Sequence, residues 1–352
     1  MAERILITGS GGYVGNALSA RLKMQGQDFV GLDAGLRKQW VMEVGGVNLT
    51  KGMTEYPYLV ANVADYQNVL NILQWYRPTV IIHLASQPSG PYSEIDTQHR
   101  LWTQQNNITM MLNLLCASKD IGLNPKFIVT TTTGIPGAPG DPITEEPMAN
   151  QAGSCYHTSR GLDSSNLSLA ARQWKFRIIE LRTSIVYGLR IDNHIAPVGR
   201  FDWDFYFGTV IHRFVFRKRL GLPITIYGKG EQMKPIISLN DCVESLSRAI
   251  DYDVKESEHI IMNQTTQCLS IVDMAKAVGG KVEHIDNPRV EKEDYRMDIR
   301  TEKFKALMRG HTINILSQQS KKIEDDIDIS IVPDNYEAAY FGKLPQRIPI
   351  AR

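Results

Sequence analysis

Three groups of residues in this 352-residue chain have types and spacings that could do chemistry. The first is Thr8-Gly9-Ser10-Gly11-Gly12-Tyr13-Val14-Gly15. Glycines at 9, 12 and 15 allow a tight turn, close approach of backbone N–H groups to a pyrophosphate, and close packing of the next helix on the preceding strand. The second is Asp33, 18 residues beyond Gly15, an acid placed to take the hydroxyls of an adenosine ribose. Its charge repels a 2′-phosphate, so NAD is expected over NADP, a preference that nearby Arg37 and Lys38 soften. The plain alternative is a structural turn and a helix-capping acid. The third group is Tyr156-His157-Thr158-Ser159-Arg160. Tyr156 and Arg160, four apart, share one face of a predicted helix. A fixed cation beside a phenol favours phenolate, lowering a pKa that starts near about 10, and makes a general base. Alone, such a pair is most often a surface feature. It gains meaning from the glycine turn and from Thr131-Thr132-Thr133, hydroxyls that close a β-branched run.

Those residues need elements to hold them. Ile5–Thr8, Phe29–Leu32, Tyr58–Ala61, Val80–Leu84, Phe127–Thr130 and Ile178–Leu181 read as strands without polar alternation, as in a parallel sheet covered on both faces. Helix-like stretches lie between them, at about 12–24, 66–76, 104–121 and 156–174. The alternation predicts an α/β fold, a doubly wound parallel sheet with right-handed crossovers, whose ligand crevice lies at the carboxyl ends of the strands. Residues 1–187 are expected to form this dinucleotide-binding domain, with about 233–255 returning to it through a helix that starts near Asp241 and ends near Asp251. Residues 188–232 and 256–327, richer in Pro, Gly and aromatic residues, are expected to form a smaller α/β substrate domain. The stretch 35–57 reads as a surface insertion and 328–352 as an irregular tail.

Composition excludes several classes. A net charge of +1 is not that of a bulk nucleic-acid or membrane-surface binder. Cys116, Cys155, Cys242 and Cys268 form no C-x-x-C pair, so neither a zinc ribbon nor a disulfide framework is expected. No His, Asp and Glu spacing suggests a metal site, and no apolar run is long enough for a membrane helix. No signal or transit peptide is visible, and a cytoplasmic setting is the default.

Several stretches together resemble one family: Gln87-Pro88-Ser89-Gly90-Pro91-Tyr92-Ser93, Gln105-Asn106-Asn107, Ser154-Cys155-Tyr156-His157, Ile185-Val186-Tyr187-Gly188, Asp204–Thr209, Tyr227–Gln232 and Asn287-Pro288-Arg289-Val290-Glu291. In order and spacing they are similar to the extended short-chain dehydrogenases/reductases, Rossmann-fold enzymes of the nucleotide-sugar epimerase and dehydratase type. Within that type they resemble the sulfoquinovose synthases. The resemblance implies a resident NAD, held at Gly9, Gly12, Tyr13, Val14, Gly15, Asp33, Asn62, Val63, Leu84 and Ala85, and by Tyr156 and Arg160. It implies that Tyr156 takes the proton of a sugar hydroxyl, with Thr132 as hydroxyl partner, while a hydride is stored and returned. His157 matches a histidine of the sulfoquinovose synthases and is a further catalytic candidate. Gln87, Thr133, Lys234 and Arg289 are implied contacts of a nucleotide-diphosphate sugar, the guanidinium being suited to bidentate phosphate contact; Arg213, on a predicted helix of the substrate domain, is a further candidate for the diphosphate. The family's helices at 104–121 and 156–174 pair across a dimer axis. The resemblance therefore implies a homodimer, with which apolar stripes at Met110, Met111, Leu114 and Leu115 and at Leu162, Leu167, Leu169 and Ala170 are consistent; plain core packing is the alternative.

Three departures direct the functional expectation. Arg160 stands where the family has lysine, and its planar fork differs in reach. Thr133-Gly134-Ile135-Pro136 carries no acid, whereas the sulfoquinovose synthases and sugar dehydratases have one within a few positions of the threonine, used in eliminating a hydroxyl. Pro88 stands where sulfoquinovose synthases have arginine. The expected activity is therefore NAD-dependent epimerisation through a transient ketone. Dehydration or sulfoquinovose synthesis, with an acid from elsewhere such as Glu145 or Glu146, is one alternative. A non-catalytic binder of NAD or nucleotide sugar is another. His83 is expected to be a hydrogen-bonded core residue.

Overall fold

The computed structural model describes residues 3–43, 49–137, 142–192, 194–287, 296–344 and 346–348. Among them the strands are β1 (Ile5–Thr8), β2 (Phe29–Asp33), β3 (Leu59–Val60), β4 (Val80–His83), β5 (Lys126–Thr132), β6 (Arg177–Thr183), β7 (Ile185–Tyr187), β8 (Ile224–Tyr227), β9 (Met233–Ser238), β10 (His259–Gln264), β11 (Gln267–Ser270) and β12 (Val282–Ile285). Seven form one parallel sheet in the order β10-β6-β5-β4-β1-β2-β3. Successive side chains along β1 leave on opposite faces. Ile5 and Ile7 pack under the helices Tyr13–Met24 and Leu239–Asp251, while Leu6 packs under Tyr66–Tyr76, Thr97–Asp120 and Cys155–Trp174. Both faces are apolar because both are covered. β10, in a stretch read from the sequence as part of the smaller unit, instead pairs with β6 and extends the large sheet.

The order reverses beside β1, which lies between β2 and β4. The turns after β1 and β4 meet there. Gly9, with φ of 74°, donates its N–H to Leu32 O at 2.7 Å, and a Cβ on it would stand 2.6 Å from Ala85 N. This is the switch point at which an open α/β sheet offers its crevice.

A second core holds the smaller part of the molecule. Trp203, Phe214 and Phe216 from around the helix Val210–Arg219 pack with Ile224 and Ile226 of β8, Ile236 of β9 and Met274 of the helix Ile271–Val278. The stretch expected to be an irregular tail joins this core: Tyr336–Tyr340 is a helix and Tyr340 is buried. The expected insertion at 35–57 contains a helix, Leu36–Glu43. Among the described residues, no helix is long and apolar enough to cross a membrane.

Candidate active site

The glycine turn is built so that side chains are excluded. Gly12 caps the helix Tyr13–Met24 without any side-chain hydrogen bond, leaving the first N–H groups turned to the crevice. A Cβ on Gly15 would overlap Gly9 O and Ser10. Asp33 sits opposite, its two carboxylate oxygens accepting from Gly11 N at 3.0 Å and Gly35 N at 2.8 Å. Burial raises its pKa against those two hydrogen bonds. An anion-binding helix end, a cradle without side chains and an acid at the ribose position fit a dinucleotide with a free 2′-hydroxyl. Gly15→Ala is expected to cost about 1–3 kcal/mol through overpacking and to strip the purified protein of dinucleotide. Thermal melts and mass analysis of the released nucleotide test both effects.

Around this turn the predicted contacts divide. Tyr13 is half-buried, and its phenol donates to Gly188 O at 2.5 Å, so its side chain joins the two parts of the molecule. Asn62 Oδ1 accepts from Ala64 N at 2.9 Å, and Val63 O accepts from Asn113 Nδ2 at 3.0 Å; the pair shapes the turn after β3. Val14 packs beside the first core, Leu84 N bonds Thr8 O at 3.0 Å, and Ala85 abuts Gly9.

Two contacts tie the helix Cys155–Trp174 to the end of β5. Arg160 Nη2 donates to Thr130 O, and the His157 ring lies so close to Gly134 that a Cβ there would overlap it. Thr132 ends β5 beside Thr183, its Oγ1 accepting from Gly134 N at 3.1 Å, and Thr133 N continues to Thr183 O at 3.3 Å. His157 is seated by Ser154, which caps the helix and lies 2.7 Å from Nδ1. Burial and nearby Lys234 push its pKa down to about 4, against the pull of Glu94. The imidazole is thus neutral at pH 7. Lys234 lies on β9, close enough for its charge to act on His157.

Arg160 departs from the sequence expectation. It is 2% exposed and its Nη1 lies 2.7 Å from Asp163 Oδ2, one turn along the helix. Its charge is therefore shared among a carboxylate, a carbonyl and the phenol. Burial raises the Tyr156 pKa, Arg160 lowers it and Asp163 raises it again, so the net direction is upward. The expected net lowering does not hold, because burial of the phenol outweighs the cation, whose pull the buried Asp163 also opposes. Asp163 itself is pushed up to about 7 by burial, with Arg160 opposing and Glu180 adding repulsion. Glu180 is held near about 2: burial would raise it, but His259, Arg182 and Thr131 outweigh burial. Asp163 was missed in the sequence; an acid three residues after Arg160 was the available signal.

Other candidates have partners within the protein. The Gln87 amide bonds Ser89 O and Thr103 Oγ1, both at 3.0 Å, and shapes its own loop. Arg213 donates to Tyr227 Oη at 2.9 Å and Tyr340 O at 3.0 Å, over the Tyr340 ring. Glu145 is buried and accepts from Asn263 N and Phe304 N at 3.0 Å, while Glu146 pairs with Lys303, so neither is available as the missing acid. His83 is buried on Thr8 Oγ1 at 2.7 Å, as expected. Arg289 lies outside the described residues. Met110, Met111, Leu114, Leu115, Leu167 and Ala170 belong to the core; only Leu162 and Leu169 of the two stripes face outward.

The model of the NAD dependent epimerase/dehydratase family matches residues 5–263. The chain belongs to that family. As in the family, its cofactor is NAD. It is 29% identical over 344 residues to the chloroplastic UDP-sulfoquinovose synthase of Spinacia oleracea, covering 87% of this chain and 71% of that one. It is 28% identical to UDP-sulfoquinovose synthase of Sulfolobus acidocaldarius, covering 83% and 84%. A probable UDP-glucuronate 4-epimerase of Rhizobium meliloti is 26% identical over 76% of this chain and 74% of its own. Among solved structures, UDP-glucose 4-epimerase of Thermotoga maritima superposes with a TM-score of 0.71 at 20% identity, over 92% of this chain and 97% of that one. That of Thermus thermophilus, complexed with NAD, gives 0.70 at 23%, over 92% and 98%. These likenesses confirm the α/β sheet of the extended dehydrogenase/reductase type.

Proposed function

We propose that this family member is an epimerase that interconverts two stereoisomers of a nucleotide-diphosphate sugar through a transient ketone. One observation carries the reading. Thr132 and the helix bearing Tyr156 are fastened to one crevice, yet the turn after Thr132 holds no acid, and Ile135 in it is buried. Bound NAD supplies a hydride acceptor and donor. Tyr156 takes the proton of a ring hydroxyl as the hydride leaves the same carbon, and Thr132 shares that hydroxyl's hydrogen bond. On the return step Tyr156 would give the proton back to the same oxygen, re-forming the hydroxyl as NAD's stored hydride is returned to that carbon. Nothing is oxidised overall. Eliminating a neighbouring hydroxyl would need a general acid, and Glu145 and Glu146 are committed elsewhere. The large sheet would hold NAD, and the smaller part, with Lys234, Arg213 and Arg289, the nucleotide diphosphate. Thr133 and Gln87 would border the sugar.

Incubation with a panel of nucleotide sugars is expected to interconvert one pair of diastereomers without releasing NADH; no interconversion across the panel overturns the reading. Likeness to two sulfoquinovose synthases supports a second reading, which a sulfite-dependent product in mass spectra would select. The Arg160–Asp163 pair supports a third, a binder without turnover. A homodimer is proposed on Leu101, Leu162 and Leu169, large apolar side chains left exposed on the two long helices, with light scattering as its test.

A further inference from the structure

The choice between NAD and NADP is usually assigned to an acid at the end of the second strand, here Asp33. The surroundings of Asp33 hold a second device. Arg37 lies two residues beyond Gly35, whose N–H bonds Asp33, so its side chain is rooted within one turn of Asp33, and its guanidinium shares Asp202 with that of Arg200. Arg200 comes from the smaller part of the molecule, and its charge also reaches Asp33. Two guanidiniums beside a ribose are what a 2′-phosphate would seek, since each offers a planar fork to phosphate oxygens.

Both are held by one carboxylate. Asp202 Oδ1 lies 3.1 Å from Arg37 Nη2, and Arg200 Nε lies 3.0 Å from Oδ1 and 3.2 Å from Oδ2, with Nη2 at 3.2 Å from Oδ2. Asp204 adds a contact to Arg37 at 3.5 Å, and the Arg37 guanidinium stacks over Phe207 at 3.8 Å. The four charged side chains of this cluster are 13–23% exposed, so solvent screens them weakly. With Asp33, three carboxylates face two guanidiniums, and the surroundings stay negative. Lys38, the other cation near Asp33 in sequence, pairs with Glu55 at 2.7 Å instead.

We propose that Asp202, from the smaller part of the molecule, is a specificity-determining residue for the dinucleotide: by holding Arg37 and Arg200 it denies a 2′-phosphate the two guanidiniums beside the ribose. The inference rests on the dinucleotide lying at the glycine turn with its ribose at Asp33. Asp202→Asn keeps the shape, removes one negative charge and loosens both forks.

The test uses protein purified from cells that contain both dinucleotides, with the bound dinucleotide released and its NADP to NAD ratio measured. The wild type is expected to carry almost only NAD. Asp202→Asn is expected to raise the ratio about tenfold, the effect of about 1.4 kcal/mol. Asp202→Glu, which keeps the charge, is expected to stay near wild type, and adding Arg37→Ala to Asp202→Asn to cancel most of the gain. A folded Asp202→Asn protein, loaded with a normal amount of dinucleotide at the wild-type ratio, overturns the proposal. Should that variant not fold, Asp204→Asn decides, with a smaller rise expected and an unchanged ratio overturning it. Wild-type protein without any dinucleotide would instead overturn the placement on which the proposal rests.

Discussion

Tyr156→Phe is expected to lower turnover of the nucleotide sugar about 10²–10⁴-fold, the usual contribution of a positioned proton acceptor. The loss should fall on kcat, because the ring, its edge contact with His157 at 4.8 Å and its place on the helix are unchanged. NAD should remain bound, since the glycine turn and Asp33 are untouched. Steady-state kinetics and the content of bound dinucleotide check both halves. Full turnover in the variant would remove the proposed base. The wild-type rate should also rise with pH as the phenol, held above its ordinary value by burial, gives up its proton.

Arg160→Met is expected to destabilise the fold by about 3–5 kcal/mol at pH 8, the usual result of leaving one member of a buried pair alone. Arg160 and Asp163 are both nearly inaccessible, and removing the guanidinium strands a carboxylate beside Glu180. The sign of the pH dependence follows from Asp163. Its folded pKa is raised to about 7, so between the ordinary carboxylate range and that value the folded state binds the extra proton. Its contribution to stability is fully present at low pH and is lost as pH rises through about 7. Without Arg160, which lowers it, the pKa rises further. The penalty of Arg160→Met should therefore shrink from pH 8 to pH 5, and Asp163→Leu added to it should recover most of the loss. Denaturation curves at the two pH values measure this; a pH-independent penalty would contradict the buried-pair account. Arg160→Lys is expected to cost less, since an ammonium can satisfy Asp163 or Thr130 O but lacks the fork that spans both.

The sheet was legible because a strand covered on both faces is written locally as a β-branched run; β1 and the helix at 66–76 have the predicted limits. The long helix starts at Thr97 rather than near 104, because its first turn, Thr97-Gln98-His99-Arg100, is polar and its start is set by the Asp96 cap. Tyr340 entering the second core was hidden for a different reason. Its partners, Phe216 and Thr225, lie more than a hundred residues earlier, beyond any periodicity.

The amino-acid order alone determined the glycine turn, the acid that follows it, the Thr132 and Tyr156 pair and the lack of an acid after Thr132, because each depends on a few neighbouring residues and on backbone geometry. The tertiary structure decided how the charges act. Arg160 reads as a free cation until the helix turn beneath it is buried with Asp163, and Arg37 reads as softening the preference for NAD until Asp202, 165 residues away, pairs with it. Pairing and desolvation are properties of the packed interior, and there they set both the basicity of a phenol and the reach of a guanidinium.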